Sequence, residues 1–148
     1  KGFYSLANNK YQQGDYYLAI DLYTKSIFCD PTFIKSYINR GIVHTELGNY
    51  KGAISDYTKV IELDPYYSMA YKNRGSVKSI IRNFRGAIID FDKAIDLDPY
   101  HPYFYSDRAL ARWNLGNFSC ACSDWRKASE LGDEKAAQYF NMHCSDSY

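Results

Sequence analysis

The chain has 148 residues, the length of one domain, with a net charge of +1 and 24% charged residues. That balance argues against a strongly basic nucleic-acid binder and against a polybasic membrane-surface segment. No run of eighteen apolar residues occurs, so membrane insertion is not expected, and no basic n-region with an apolar h-region marks a signal peptide.

Sixteen Tyr, eight Phe and two Trp make the chain rich in aromatics, and Pro is scarce at four. The low Pro count and the lack of a long Gly/Ser tract argue against disorder and flexible linkers. Four cysteines are too sparse for a disulfide-built scaffold. The chain opens KGFYSLANNK, without Met, which suggests a piece of a longer protein. We expect it to be soluble, and the compartment (cytoplasmic or exported) stays open.

The first helix starts near Phe3, and from there the chain repeats itself. Residues 48–65, GNYKGAISDYTKVIELDP, and 82–99, RNFRGAIIDFDKAIDLDP, match at ten of eighteen positions at an offset of 34. At that period Pro31, Pro65 and Pro99 align, as do Gly14, Gly48 and Gly116, with Arg82 in the remaining glycine slot. Ala7, Gly41, Gly75 and Ala109 form one small-residue row, and Ala19, Ala53, Ala87 and Ala121 another. Tyr23, Tyr57, Phe91 and Trp125 form an aromatic row, as do Tyr16, Tyr50, Phe84 and Phe118.

Each repeat carries two helical patterns. In the second repeat they run about Lys35–Leu47 and about Tyr50–Leu63. Tyr50, Ala53, Ile54, Tyr57, Val60 and Ile61 mark one apolar face at helical spacing. Gly48-Asn49 makes the turn between the helices, where a positive φ is expected. Asp64-Pro65 ends the second helix, because the residue before Pro disfavours the α region. The fourth repeat departs, with Asp133 in the Pro slot. One more helix follows, about 133–143, with Asp133 as its N-cap.

These residues resemble the tetratricopeptide repeat (TPR) family, a 34-residue helix–turn–helix unit. The motif positions are Tyr37, Gly41, Leu47-Gly48, Tyr50, Ala53, Tyr57 and Pro65, recurring as Tyr71, Gly75, Phe84, Ala87, Phe91 and Pro99. The resemblance implies an all-α fold: an α-solenoid, a right-handed superhelix of four helix–turn–helix repeats plus a C-terminal capping helix. One domain would span 1–148, with repeats at about 1–33, 34–67, 68–101 and 102–132 and the cap at 133–143. The segment around Cys120–Cys144 resembles the C-terminal ends of many bacterial TPR proteins, which implies a bacterial source.

Arg40, Arg74 and Arg108 share one repeat position, and Asp56, Asp90 and Asp124 another sixteen residues on. In the first repeat both slots turn apolar together, as Leu6 and Leu22. That joint switch points to an Arg–Asp ion pair within each repeat, replaced once by a Leu–Leu contact. The alternative is an arginine row that binds an acidic ligand.

The resemblance also implies function. In a TPR superhelix the first helix of each repeat lines the concave groove. By repeat position the groove would hold Tyr4, Asn8 and Tyr11, then Lys35, Asn39 and Ile42, then Lys72 and Asn73, then Asp107 and Trp113. An amide accepts from a peptide N–H and donates to a peptide C=O, so Asn39 and Asn73 suit an extended peptide backbone. The alternative is that these amides bond neighbouring helices or water. TPR co-chaperones that grip EEVD tails use a two-carboxylate clamp whose positions map to Tyr4, Asn8, Asn39, Met69 and Asn73. The three cations of that clamp are missing here, at Tyr4, Met69 and Asn73, so that mode is not expected.

His44, His101 and His143 fall at different repeat positions, and no H-x3-H or C-x2-C occurs, so no metal is expected. No cofactor and no catalytic role are expected either. Cys122 lies in the second helix of the fourth repeat, and Cys144 follows the cap that packs on it. The two are candidate disulfide partners in an exported protein; the alternative is two buried thiols. The expected function is a protein–protein interaction scaffold that binds a peptide or protein partner. The alternatives are a structural or homo-oligomerising module, or a regulatory attachment to an enzyme elsewhere in a longer protein.

Overall fold

The computed structural model describes residues 2–144. Among them nine α-helices follow one another and no strand occurs. They are α1 (Gly2–Gln12), α2 (Tyr16–Cys29), α3 (Ile34–Glu46), α4 (Tyr50–Leu63), α5 (Ser68–Ile80), α6 (Phe84–Leu97), α7 (Pro102–Asn114), α8 (Phe118–Glu130) and α9 (Glu134–His143). No helix among the described residues is long and apolar enough to cross a membrane. The contacts divide the chain into two compact parts, Lys1–Ala70 and Tyr71–Tyr148, with the boundary inside α5.

Local chemistry sets the helix ends. Gly14, Gly48 and Gly116 take φ of 79°, 71° and 79° in the turns inside repeats, where a side chain would be strained. Arg82 holds the same turn at φ 62°. The next helix starts on an Asx cap: Asn49 Oδ1 accepts from Gly52 N–H, and Asn83 Oδ1 from Gly86 N–H, both at 3.1 Å. At the other end Asp30 and Asp64 close the helix, and their Oδ1 atoms accept from Thr32 and Tyr66 N–H across the proline.

In the first part α1 packs on α2, α2 on α3 and α3 on α4. Small residues let these helices approach closely. A Cβ added to Gly41 would meet the Tyr57 ring at 2.8 Å. Ala7, Ala19, Leu22, Tyr23 and Val43 form one buried cluster, and Tyr37, Val60 and Ala70 another. In the second part α6 packs on α7, α7 on α8 and α8 on α9. Gly75 stands to Phe91 as Gly41 does to Tyr57, again at 2.8 Å.

Each arginine of the repeated row reaches a buried aspartate. Arg40 Nε and Nη2 donate to Asp56 Oδ2 and Oδ1 at 3.0 and 2.6 Å. Arg74 grips Asp90 the same way at 3.0 and 2.7 Å, and Arg108 grips Asp124 at 3.0 and 2.7 Å. The three aspartates are 2–4% exposed, so each depends on a partner. The guanidinium also lies over a tyrosine of its own helix, Tyr37, Tyr71 or Tyr105, at 5.6–5.8 Å. A third arm ties back to the preceding helix: Arg40 Nη1 donates to Thr24 Oγ1, and Arg108 Nη1 to Asp92 Oδ1.

In the first repeat the two leucines differ in exposure. Leu22 is buried in the core at 5% exposure, but Leu6 stays 46% exposed beside Phe3 at 43%. Arg40 and Arg108 at the equivalent slot instead reach the helix before them, at Thr24 and Asp92.

The three aspartates differ in backup. Asp90 also has Lys78 Nζ at 2.7 Å, and Asp124 has Arg112 Nη1 at 2.7 Å. Among the described residues Asp56 has as backup His44 Nε2 at 4.0 Å, and burial pushes the His44 pKa down, which favours the neutral ring. Arg40→Leu should therefore cost about 3 kcal/mol or more by urea unfolding, because it leaves a buried carboxylate unpaired. Arg40→Leu with Asp56→Leu should recover most of that loss, and Arg74→Leu should cost less than Arg40→Leu. No recovery in the double variant would show that the pair is not what holds α3 to α4.

Candidate functional site

The first helix of each repeat carries the residues that the sequence marks for ligand contact. In the first compact part these belong to α1 and α3, which touch directly. Asn8 and Asn39 are each partly buried. Asn8 Oδ1 accepts from Tyr23 Oη at 2.6 Å and from Asn39 Nδ2 at 2.9 Å. Asn39 Nδ2 also donates to Tyr4 Oη at 3.2 Å. The two amides are thus bonded to each other and to two tyrosines. Two of their groups stay outside this network among the described residues: Asn8 Nδ2, a donor, and Asn39 Oδ1, an acceptor.

Tyr4 is held edge-on to Phe33, with ring centroids 5.1 Å apart. Tyr11 Oη donates to Glu46 Oε1 at 2.7 Å, and its ring lies 5.7 Å from that of Tyr16. Accepting that proton, the Glu46 carboxylate holds the Tyr11 phenol up, to about 12. Tyr11 is therefore a neutral, donating hydroxyl at any physiological pH. Lys35 is exposed, and Ile42 is half-buried beside the amides' helix face.

In the second part Lys72 Nζ lies 3.5 Å from Asp107 Oδ2. Asn73 is half-buried in the same helix, α5. Trp113 is drawn into an aromatic cluster, 4.5 Å from Phe118, 5.3 Å from Trp125 and 4.9 Å from His143. Its surface is largely committed to packing α7 against α8 and α9.

Two features were not foreseen from the sequence. Ser106 Oγ donates to Asp133 Oδ2, a pairing across 27 residues. Asp133 Oδ1 meanwhile accepts from Lys135 and Ala136 N–H at 3.0 and 3.2 Å, which fixes the start of α9. The second feature is a hollow of about 480 Å3 at α1 and α2, lined by Gly2, Phe3, Leu6, Ser26, Cys29, Asp30 and Phe33. The paired apolar switch at Leu6 and Leu22 was the only trace of it.

Cys122 and Cys144 have their sulfurs at disulfide distance, 1.98 Å, with Cα atoms 5.7 Å apart. The link joins α8 to the end of α9 and closes a 22-residue separation. Cys29 and Cys120 are exposed and free.

Residues 34–67 match the tetratricopeptide repeat family model. Several solved structures share the fold. A crystal structure of MamA is 24% identical, with a TM-score of 0.86 over 93% of this chain and 81% of that one. MamA from Desulfovibrio magneticus RS-1 is 20% identical, with a TM-score of 0.87 over 95% of this chain and 81% of that one. The first TPR of Spaghetti (RPAP3), bound to the HSP90 peptide SRMEEVD, is 27% identical, with a TM-score of 0.70 over 74% of this chain and 88% of that one. No protein of curated function matches the sequence.

The cysteine geometry sets a direct measurement. Under denaturing, non-reducing conditions two of the four thiols should react with a thiol reagent, Cys29 and Cys120. Reduction should lower stability by about 3 kcal/mol in urea unfolding, the effect of opening a loop of this length. Four reacting thiols in oxidised protein would leave α9 without its covalent pin.

Proposed function

We propose that this chain is a tetratricopeptide repeat protein, as its repeat at 34–67 and its fold support, and an interaction scaffold whose first helices hold a partner peptide. In the first compact part the residues assigned to a peptide are Tyr4, Asn8, Tyr11, Lys35, Asn39 and Ile42 of α1 and α3; in the second, taken by itself, they are Lys72, Asn73, Asp107 and Trp113 of α5 and α7. One observation carries the reading. The Asn8–Asn39 pair keeps one amide donor and one amide acceptor outside its internal bonds. Those two groups complement the C=O and N–H of one extended peptide. Their bonds to Tyr4 and Tyr23 fix both side chains in advance, which lowers the entropy cost of binding. The tyrosine rings beside them supply contact area.

The RPAP3 module binds a peptide that ends in EEVD. Capture of such a carboxylate end needs cations, and this chain has Tyr4, Met69 and Asn73 where they would stand. The partner here is recognised along its backbone, not by its C-terminus.

A second reading rests on the hollow at α1 and α2. Phe3 and Leu6 line it with 43% and 46% exposure, and Phe28 nearby in sequence is 87% exposed. Apolar surface of this kind marks a contact face, here one for self-association.

A peptide selected from a random library against this protein tests the first reading. Its Kd should rise about tenfold with Asn39→Ala, the loss of roughly one hydrogen-bonded amide, while the unfolding midpoint moves little. An unchanged Kd would move the site away from α1 and α3. Failure to select any peptide, with a mass that rises with concentration in sedimentation, would favour self-association.

A further inference from the structure

Between α7 and α9 lies a cavity of about 320 Å3, lined by Tyr103, Ser106, Asp107, Trp125, Asp133 and Tyr139 among others. That is near the lower end of the ~300–1,000 Å3 that ligand pockets span, enough for one side chain. Its two carboxylates are in different states. Asp133 is fully engaged, with Oδ1 on two N–H groups of α9 and Oδ2 on the Ser106 hydroxyl. The α9 N-terminus is therefore capped by its own chain and offers nothing to an anion.

Asp107 is under-supplied. Its Oδ2 is buried and makes no hydrogen bond within the described residues. Lys72 Nζ pairs with that oxygen at 3.5 Å, a long ion pair. Burial pushes the Asp107 pKa up, and Lys72 offsets that only in part. The side chain as a whole is 34% exposed; since Oδ2 is buried, a ligand meets the other edge of the carboxyl group. Of the remaining charged or titratable groups nearby, Lys135 is exposed and His101 stacks flat on Phe104 at 4.1 Å.

The walls are aromatic. Tyr103 is 57% and Tyr139 44% exposed, and Tyr139 stacks on Trp125 with centroids 5.3 Å apart. A carboxylate with one long ion pair, in a cavity that two exposed tyrosine rings also line, complements a cation on an apolar stem. An uncharged apolar side chain would bury Asp107 further without giving it a donor. An acidic one would face two carboxylates.

We propose that this cavity takes the side chain of an Arg or Lys from a bound peptide, with Asp107 as counter-ion and the Tyr103 and Tyr139 rings against the stem. The inference rests on the peptide-binding reading above and adds a charge requirement to it.

Four pools of short extended peptides test it, otherwise uncharged and carrying one Arg, one Lys, one Gln or one Glu at a varied position. Binding is followed by the fluorescence of Trp113 and Trp125, the chain's two tryptophans, both at this end. The Arg and Lys pools should bind at least about tenfold more tightly than the Gln and Glu pools. Asp107→Asn should abolish that preference without lowering the unfolding midpoint. If the midpoint falls, Tyr103→Ala replaces it as the variant, since that ring is exposed, and it should weaken the Arg pool at least about threefold. Equal binding of all pools, or a preference that survives both substitutions, overturns the cation site and leaves peptide binding standing. No binding by any pool overturns both.

Discussion

The buried arginine–aspartate pair is the interaction on which the repeats depend. It joins the two helices of one repeat through a bidentate bond, and through its third arm it reaches the helix before. Arg40 thereby holds α2, α3 and α4 at one point, and Arg108 does the same for α6, α7 and α8. A purely apolar contact would tolerate sliding of one helix along another. A forked bond to a carboxylate that is 2–4% exposed tolerates very little. The pair fixes register, and apolar burial supplies most of the drive to pack.

With register fixed by these pairs, the opposite face of each first helix need not contribute to the core. That frees it to carry polar groups at half-buried positions. The Asn8–Asn39 network shows the consequence. Each amide is oriented by a tyrosine that belongs to the packed structure, so the groups left over are held in place without being consumed. The same holds at the other end, where α9 is fixed by Asp133 and by Cys122–Cys144, and the α7 face beside it keeps an incompletely paired carboxylate.

Much of the fold was legible because the physics repeats. A period of 34 placed the small and aromatic rows, and Gly41 against Tyr57 shows why a small residue must face a ring. The joint switch of Arg and Asp slots to Leu6 and Leu22 exposed the ion pair, since two positions that change polarity together share an environment. What the period could not give was contact between different repeat slots. Asn8 and Asn39 meet across 31 residues, Ser106 and Asp133 across 27, and neither separation is a multiple of the repeat. Trp113 was assigned to the groove by slot alone, and the period gave no sign that its ring also packs on Phe118, Trp125 and His143. Slot analysis reports which helix face a residue occupies, and not how far a large ring turns to find a partner.

The two ends of the described chain solve one problem differently. A stack of helix pairs leaves an apolar face at each end, because every interior face is covered by a neighbour. At α9 the chain covers its face with a short helix, an N-cap and a covalent link. At α1 the arginine slot is leucine, and Leu6 is 46% exposed among the described residues. An arginine at that position would lack the aspartate that Leu22 has replaced, and its third arm would have no described helix to reach. Leucine in both slots leaves no buried charge stranded, so the pair is lost as a unit.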